Sequence, residues 1–410
     1  MLHLPHLLAA ALACHPSAPP VVLLVGPTQT YTTIDAALAV APAGAQLLVD
    51  PGIYPAFDIT NPVSIAGSAG AFTVQMSALA GGIRVLSTVG TVAIEDVHIN
   101  FDQASGPAFM LIGCTSDVRL RNIVINTNTD LAGAAARAAI EVHSCVNVIL
   151  EQVAVDGTVA RRGSTIYADG LNDGLSALRV ADSNIYLREC VLRGFGAPTG
   201  GGYAGDALRV VTNTSSNTVD ATLWGDLGSQ VLIGGNGGSG RGGNCVHHIG
   251  NGTFQAEGCL NHVLSPGAGS TLPGGVYAIN NDGGVVGPGI DRMLVFCLDL
   301  VAFTTTAPTT VAPGTSVAIA VNDLYPGGPC LLYASIGSAY SGPYPGIHGR
   351  ALLEATSFAL GFGFTPTSFA LTLPPDPNLI GLQLTAQALV TSGSGTAVTG
   401  LSRPSFLGVR

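Results

Sequence analysis

Four residues hold equivalent places in a loose repeat, and their types are those of acid–base and anion chemistry. Glu141, Arg179, Arg209 and His247 each stand second in a short triplet, IEV, LRV, LRV and VHH. Asp206 and Asn244 lead into the last two triplets, GDALRV beside GNCVHH. All 15 basic residues are arginine, so proton transfer or anion binding here must use Arg, His or a carboxylate. Arg209 is the candidate base or anion clamp, with Asp206 or His247 assisting. Glu141 and Arg179 are candidate substrate contacts, and Tyr186 and Tyr203 candidate aromatic ones.

The elements that must position these residues are strands. The first strand of the repeat starts at Ile83, Phe109, Ile140, Leu178, Leu208 and Val246, in steps of 26, 31, 38, 30 and 38 residues. A second strand starts at Val92, Val118, Val148 and Ile185, then more weakly at Val219 and Phe254. Unequal steps with a constant internal pattern mean coils that share strands and differ in loops, which is a solenoid. Alternation points Ile83/Val85, Ile140/Val142 and Leu208/Val210 inward. Arg84, Met110, Glu141, Arg179, Arg209 and His247 are left as one outward column. The second strand's column reads Glu95, Arg121, Glu151, Arg188, Thr222 and Glu257, alternating charges expected to pair as a structural ladder. The first column follows the long connections 126–139, 156–177, 194–207 and 225–244, which would wall a groove with this column as its floor. The same column also reads as an exposed Arg/Glu ladder that serves solubility.

Composition fits an all-β chain. There are 55 Gly and 25 Pro, with 47% hydrophobic and 10% charged residues, so tight turns join short apolar runs. A net charge of -10 argues against nucleic acid as partner. No later segment has 18 uninterrupted apolar residues, so no membrane span is expected. Residues 1–20 read as a leader or disordered N-terminus, in which Ala11, Leu12 and Ala13 resemble the end of a signal peptide and Cys14 is open to a lipoprotein reading. Residues 21–303 read as the parallel solenoid, with a helix over Thr32 to Ala41 stopped by Pro42 to Gly44. Residues 304–313 read as a linker and 314–410 as a small antiparallel β-sandwich.

Tyr31 to Gly67 resembles the N-terminal cap and first coil of pectin-methylesterase and pectate-lyase-like β-helices: a capping helix, a strand running into Pro51, Gly52 and Tyr54, then an apolar strand ending in Gly. The resemblance implies a right-handed parallel β-helix, single-stranded, in an exported bacterial protein. It also implies a polysaccharide held in a groove on one face, where Arg179 or Arg209 would take a proton from a uronate or orient its carboxylate. Tyr186 and Tyr203 would then face sugar rings. The chain lacks the Gln-Asp and Asp-Phe-Ile-Phe-Gly segments of the esterases and the Asp-Asp, His-Gly and Arg-x-Lys series of polygalacturonases, and Ala56 stands where an acidic residue often follows Pro-Gly-x-Tyr. The C-terminal part resembles modules carried by many exported bacterial proteins.

Other motifs read mainly as structure. Asp169 and Asp173 in DGLNDG mark turns, or hold Ca²⁺ with Asp156. GGNGGSGRGGN from Gly234 is a flexible loop, and His143, His247, His248 and His262 are too irregular for a transition metal. Cys114 and Cys145 lie one coil apart at the same turn, which predicts a stacked disulfide in an oxidising compartment. The reading is thus a secreted or surface-bound monomer that binds or processes polysaccharide, with a non-catalytic adhesive or structural surface protein as the alternative. The net negative charge makes a neutral glycan, or an acidic one bridged by Ca²⁺, the easier ligand.

Overall fold

A computed structural model describes residues 21–76, 81–100, 106–126, 138–156, 175–196, 204–212, 218–224, 231–233, 242–250, 253–258, 264–265, 279–282 and 285–286 of the N-terminal region. In the C-terminal region it describes 304–306, 310–322, 327–336, 353, 357–376, 379–380, 382–391, 399–402 and 405–409. Residues 22–295 form one compact unit and 296–410 the body of a second.

The first unit is a parallel β-helix whose coils have three strands, one more than alternation alone reveals. The front face stacks Asp58–Ile59, Ile83–Leu86, Phe109–Ile112, Ile140–His143, Leu178–Ala181, Leu208–Thr212, Val246–Gly250 and Ile279–Asp282 in chain order, every pair parallel. Val92–Asn100, Asp117–Asn126 and Asn147–Val155 each serve two further faces by bending at one residue. In the next coil the two halves separate into Asn184–Arg188 and Val191–Arg193.

Two corners of each coil use left-handed backbone. After the front strand these residues are Ser87, Gly113, Ser144 and Asp182, with φ of 49°, 63°, 52° and 48°. Between the side and back strands they are Asp96, Asn122, Gln152 and Glu189, with φ of 59°, 51°, 55° and 52°. None of these residues is β-branched, and glycine, Asp and Asn tolerate this region best. Stacking adds side-chain bonds along the corner: Asn122 Nδ2 donates to Asp96 Oδ1 at 2.8 Å and Gln152 Nε2 to Glu189 Oε2 at 3.0 Å. Inside, the predicted inward residues Ile83, Val85, Ile140, Val142, Leu208 and Val210 are fully buried in one continuous core.

One end of this core is closed by a helix, Ile34–Leu38, shorter than the predicted 32–41 because beyond it the bonds tighten to the i−3 pattern, Val40 N–H to Ala37 O and Ala41 N–H to Leu38 O, before Pro42. Thr33 caps it, its Oγ1 accepting from the Ala36 N–H at 3.2 Å, and Ile34 and Ala37 face the core.

From Val219 the register departs from expectation. Ala221, not Val219, pairs with Ile185, so Arg188 lies beside Trp224 and Thr222 beside Tyr186. A two-residue slip preserves the parity of a period-two pattern, which is why alternation cannot detect it.

The second unit is a β-sandwich of a three-stranded and a six-stranded sheet sharing a core that includes Ile319, Leu332, Ala388 and Leu407. Its pairings are antiparallel except Thr310–Val311 with Ser405–Val409. The expected linker 304–313 is part of it, contributing Thr304–Thr306 to one sheet and Thr310–Val311 to the other.

Candidate functional site

The front-face column stands in the predicted register: Arg84 beside Met110, then Glu141, Arg179, Arg209 and His247. It also extends one coil toward the helix-capped end, to Asp58, which pairs with Arg84. Neighbouring members are separated by the strand spacing of ~4.8 Å.

The last part of the column is a buried network. His247 Nδ1 lies 2.8 Å from Asp206 Oδ2, while Asp206 Oδ1 accepts from the Asn244 N–H at 2.8 Å and from Asn244 Nδ2 at 2.9 Å. Burial would raise the Asp206 pKa, but the bond to His247, its charge, the charge of Arg209 and the Asn244 N–H together hold it below the usual carboxylate value. The lead-in positions Asp206 and Asn244 are equivalent as predicted: the Ala207 N–H donates to Asn244 O at 2.9 Å. The expectation that Glu141, Arg179, Arg209 and His247 form an open groove floor, with Asp206 at its entry, needs correction, because Glu141, Arg209, His247 and Asp206 are 3%, 1%, 6% and 5% exposed. Alternation assigns a side chain to a face; it carries no information about what covers that face.

The accessible part lies toward the capped end. Arg84, Met110 and Arg179 are partly exposed, and so is His143, two residues after Glu141 on the same face. His143 Nε2 is 3.3 Å from Glu141 Oε2 and 3.2 Å from Arg179 Nη1, bridging two neighbours in the column. Its role was missed by counting histidines for metal ligation; the i, i+2 relation to Glu141 was the available signal. Leu86 and Ile112 occupy the positions equivalent to His143 in the two preceding coils, also partly exposed. A polar column and a mostly apolar one therefore run side by side.

Other expectations fare differently. Tyr186 is buried on the side face, paired with Ile149 and Thr222, so it offers no ring to the front. Tyr203 lies outside the described residues, as do DGLNDG, His262, residues 1–20 and most of the glycine-rich stretch. Among the described residues no three His, Cys, Asp or Glu side chains converge as a metal would require. No described helix is long and apolar enough to cross a membrane.

Cys114 and Cys145 do stack at one corner, but both are free thiols, so the expected disulfide is not formed. Parallel in-register stacking sets side chains about 4.8 Å apart, whereas a disulfide needs Cβ atoms at about 3.8 Å. The two thiols share a hydrogen bond instead. That bond pushes Cys114 down to about 6 against the effect of burial, and the same bond with burial pushes Cys145 up. Cys190 is an inward core residue as predicted, its thiol pushed up to about 12 by burial.

The side-face column forms the expected ladder, buried where an exposed one was predicted. Arg121 Nη2 meets Glu95 Oε2 at 2.6 Å, and Arg188 pairs with Glu151.

Compared with known proteins, the chain matches no family, no curated protein and no solved structure.

Proposed function

We propose that this is an exported carbohydrate-binding protein of the pectin-lyase-like, right-handed β-helix kind, which holds a polysaccharide chain along its front face. One observation carries the reading: the paired outward columns at the accessible end of that face. Arg84 and Arg179 stand three coils apart in one outward column, with Met110 and the buried Glu141 between them, and Leu86, Ile112 and His143 run beside the column. Sugars are amphipathic in the same way, with hydroxyls at the ring edge and C–H groups on its faces. A row of hydrogen-bonding groups next to an apolar row suits a chain of such units.

Binding is favoured over processing by the burial of Arg209, Asp206 and His247. An acid–base group must come within hydrogen-bond reach of its substrate. In this reading the Asp206–His247 pair braces the covered end of the face, and Arg179 and His143 meet the ligand.

The test is a glycan panel on the purified full chain, read as equilibrium binding and as released reducing or unsaturated ends. The expected result is binding without product, with Arg179→Ala weakening it by about tenfold or more at unchanged thermal unfolding. A panel without any ligand removes the carbohydrate reading. Product release that Asp206→Asn abolishes makes the protein an enzyme instead.

A further inference from the structure

At the capped end of the front face lies a cleft of about 660 Å³, formed where the capping helix and the first coil approach the Asp58–Arg84 pair. This volume is in the range of small-molecule sites, which run from about 300 to 1,000 Å³. We propose that this cleft is a binding subsite for the terminal unit of a neutral glycan, with the rest of the chain lying on the front face. The inference rests on the carbohydrate reading above and adds to it a ligand class and a place for the chain end.

The polar wall is already neutralised. Arg84 Nε donates to Asp58 Oδ1 at 2.6 Å and its Nη2 to Asp58 Oδ2, a two-point fork between register partners. The side chains remain 36% and 42% exposed, so the fork presents donor and acceptor groups to the cleft without an unpaired charge. Hydroxyl groups, which donate and accept at once, complement such a surface.

Asp35 on the capping helix lines the same cleft. Partial burial raises its pKa, and repulsion from Asp58 raises it further. With Arg84 offset by Asp58, Asp35 leaves the cleft with one negative charge. A uronate would have to displace Asp58 from Arg84 and would meet Asp35 as well, so acidic sugars are disfavoured twice. The apolar wall includes Ile53, 73% exposed, with Phe57 and Met76 behind it. These offer C–H surface for a ring face.

The floor is formed by close approach of two coils. A Cβ on Gly82 would stand 2.2 Å from the Ala108 carbonyl oxygen, so the strand lead-in at this point accepts only glycine. Because Arg84 is both a wall of the cleft and the second member of the outward column, a chain lying along that column runs directly into it.

The experiment is calorimetric titration of the full chain with neutral hexose and pentose oligosaccharides, with oligogalacturonate, and with neutral chains blocked at one end or the other. The proteins are the wild type, Ala56→Trp to fill the cleft, Asp58→Asn to break the fork, and Arg179→Ala on the open face. The expected result is that neutral chains bind and uronates bind at least about tenfold more weakly. Ala56→Trp and Asp58→Asn should each lower affinity, and one of the two blocked chains should fail to bind. Should Ala56→Trp not fold, as judged by its melting curve, the exposed Asp58→Asn change and the blocked chains still decide. Neutral binding untouched by both cleft variants and both end-blocks, but reduced by Arg179→Ala, overturns the subsite and leaves the front-face reading standing. Preferential uronate binding overturns the ligand class, and no binding of any glycan removes both proposals.

Discussion

Two outward columns on the same solenoid, built from the same residue types at the same spacing, have opposite outcomes. On the side face, Glu95, Arg121, Glu151 and Arg188 are in register, and the Arg121–Glu95 and Arg188–Glu151 pairs close within the stack. Glu95, Arg121 and Glu151 are buried. On the front face the alternation is interrupted: Met110 separates Arg84 from Glu141, and Arg179 is followed by a second arginine. Arg84 turns to Asp58, Arg179 to His143, and both remain partly exposed. Strict alternation of sign gives a column that is complete in itself. Beside the breaks, Arg84 and Arg179 keep part of their surface open, while Glu141 and Arg209 are buried.

Breaking the closed column should have the largest effect. Glu151→Ala leaves Arg121 and Arg188 without the carboxylate between them and should cost about 3–5 kcal/mol of stability, as losing one partner of a buried ion pair does. Urea unfolding of the helix unit would measure it. A loss below that of an exposed pair would mean that the ladder is solvated and that the contrast between the columns is false.

Next comes the covered end of the front face. Asp206→Asn should cost about 1.5–3 kcal/mol near neutral pH, the contribution of hydrogen bonds to a charged group. The pH dependence has a definite sign. The Asp206 pKa is lowered from 3.8 in the folded state, so its contribution is complete above that value and is lost as the pH falls through the lower folded value. The stability gap between wild type and variant should therefore narrow in acid. A gap constant from pH 7 to strongly acidic solution would show that the carboxylate charge is not what matters there.

The smallest effect is expected at the open end. Asp58→Asn breaks a half-exposed pair and should change stability by about 0.2–1 kcal/mol, while lowering glycan affinity. A stability loss equal to that of Glu151→Ala would assign Asp58 a structural role and weaken the subsite.

Much of this arrangement was legible from spacing. The 26-, 31- and 38-residue steps placed Arg84, Met110, Glu141 and Arg179 side by side, because register in a solenoid follows the repeat. Three features were not legible, each for a physical reason. The third strand was hidden because the bend at Asp96, Asn122 and Gln152 does not interrupt the apolar run; only a polar residue recurring at the bend marks it. The slip at Ala221 preserved parity. The burial of Arg209 is a property of what surrounds its face, which alternation along its own strand does not encode. Tyr186 was placed at the groove for its residue type alone, although it belongs to the second strand of its coil.

The left-handed corners have a consequence for how such a molecule can change. Each non-glycine corner residue carries a local cost of roughly 1–2 kcal/mol, and the stacked pairs Asp96–Asn122 and Gln152–Glu189 offset part of it by side-chain hydrogen bonds. Losing part of a coil would therefore disturb its neighbours, whereas a whole coil brings both corners with it. The connections between coils differ in length from one coil to the next, while the corners recur, so the scaffold tolerates coils of unequal length without a change of register on the front face.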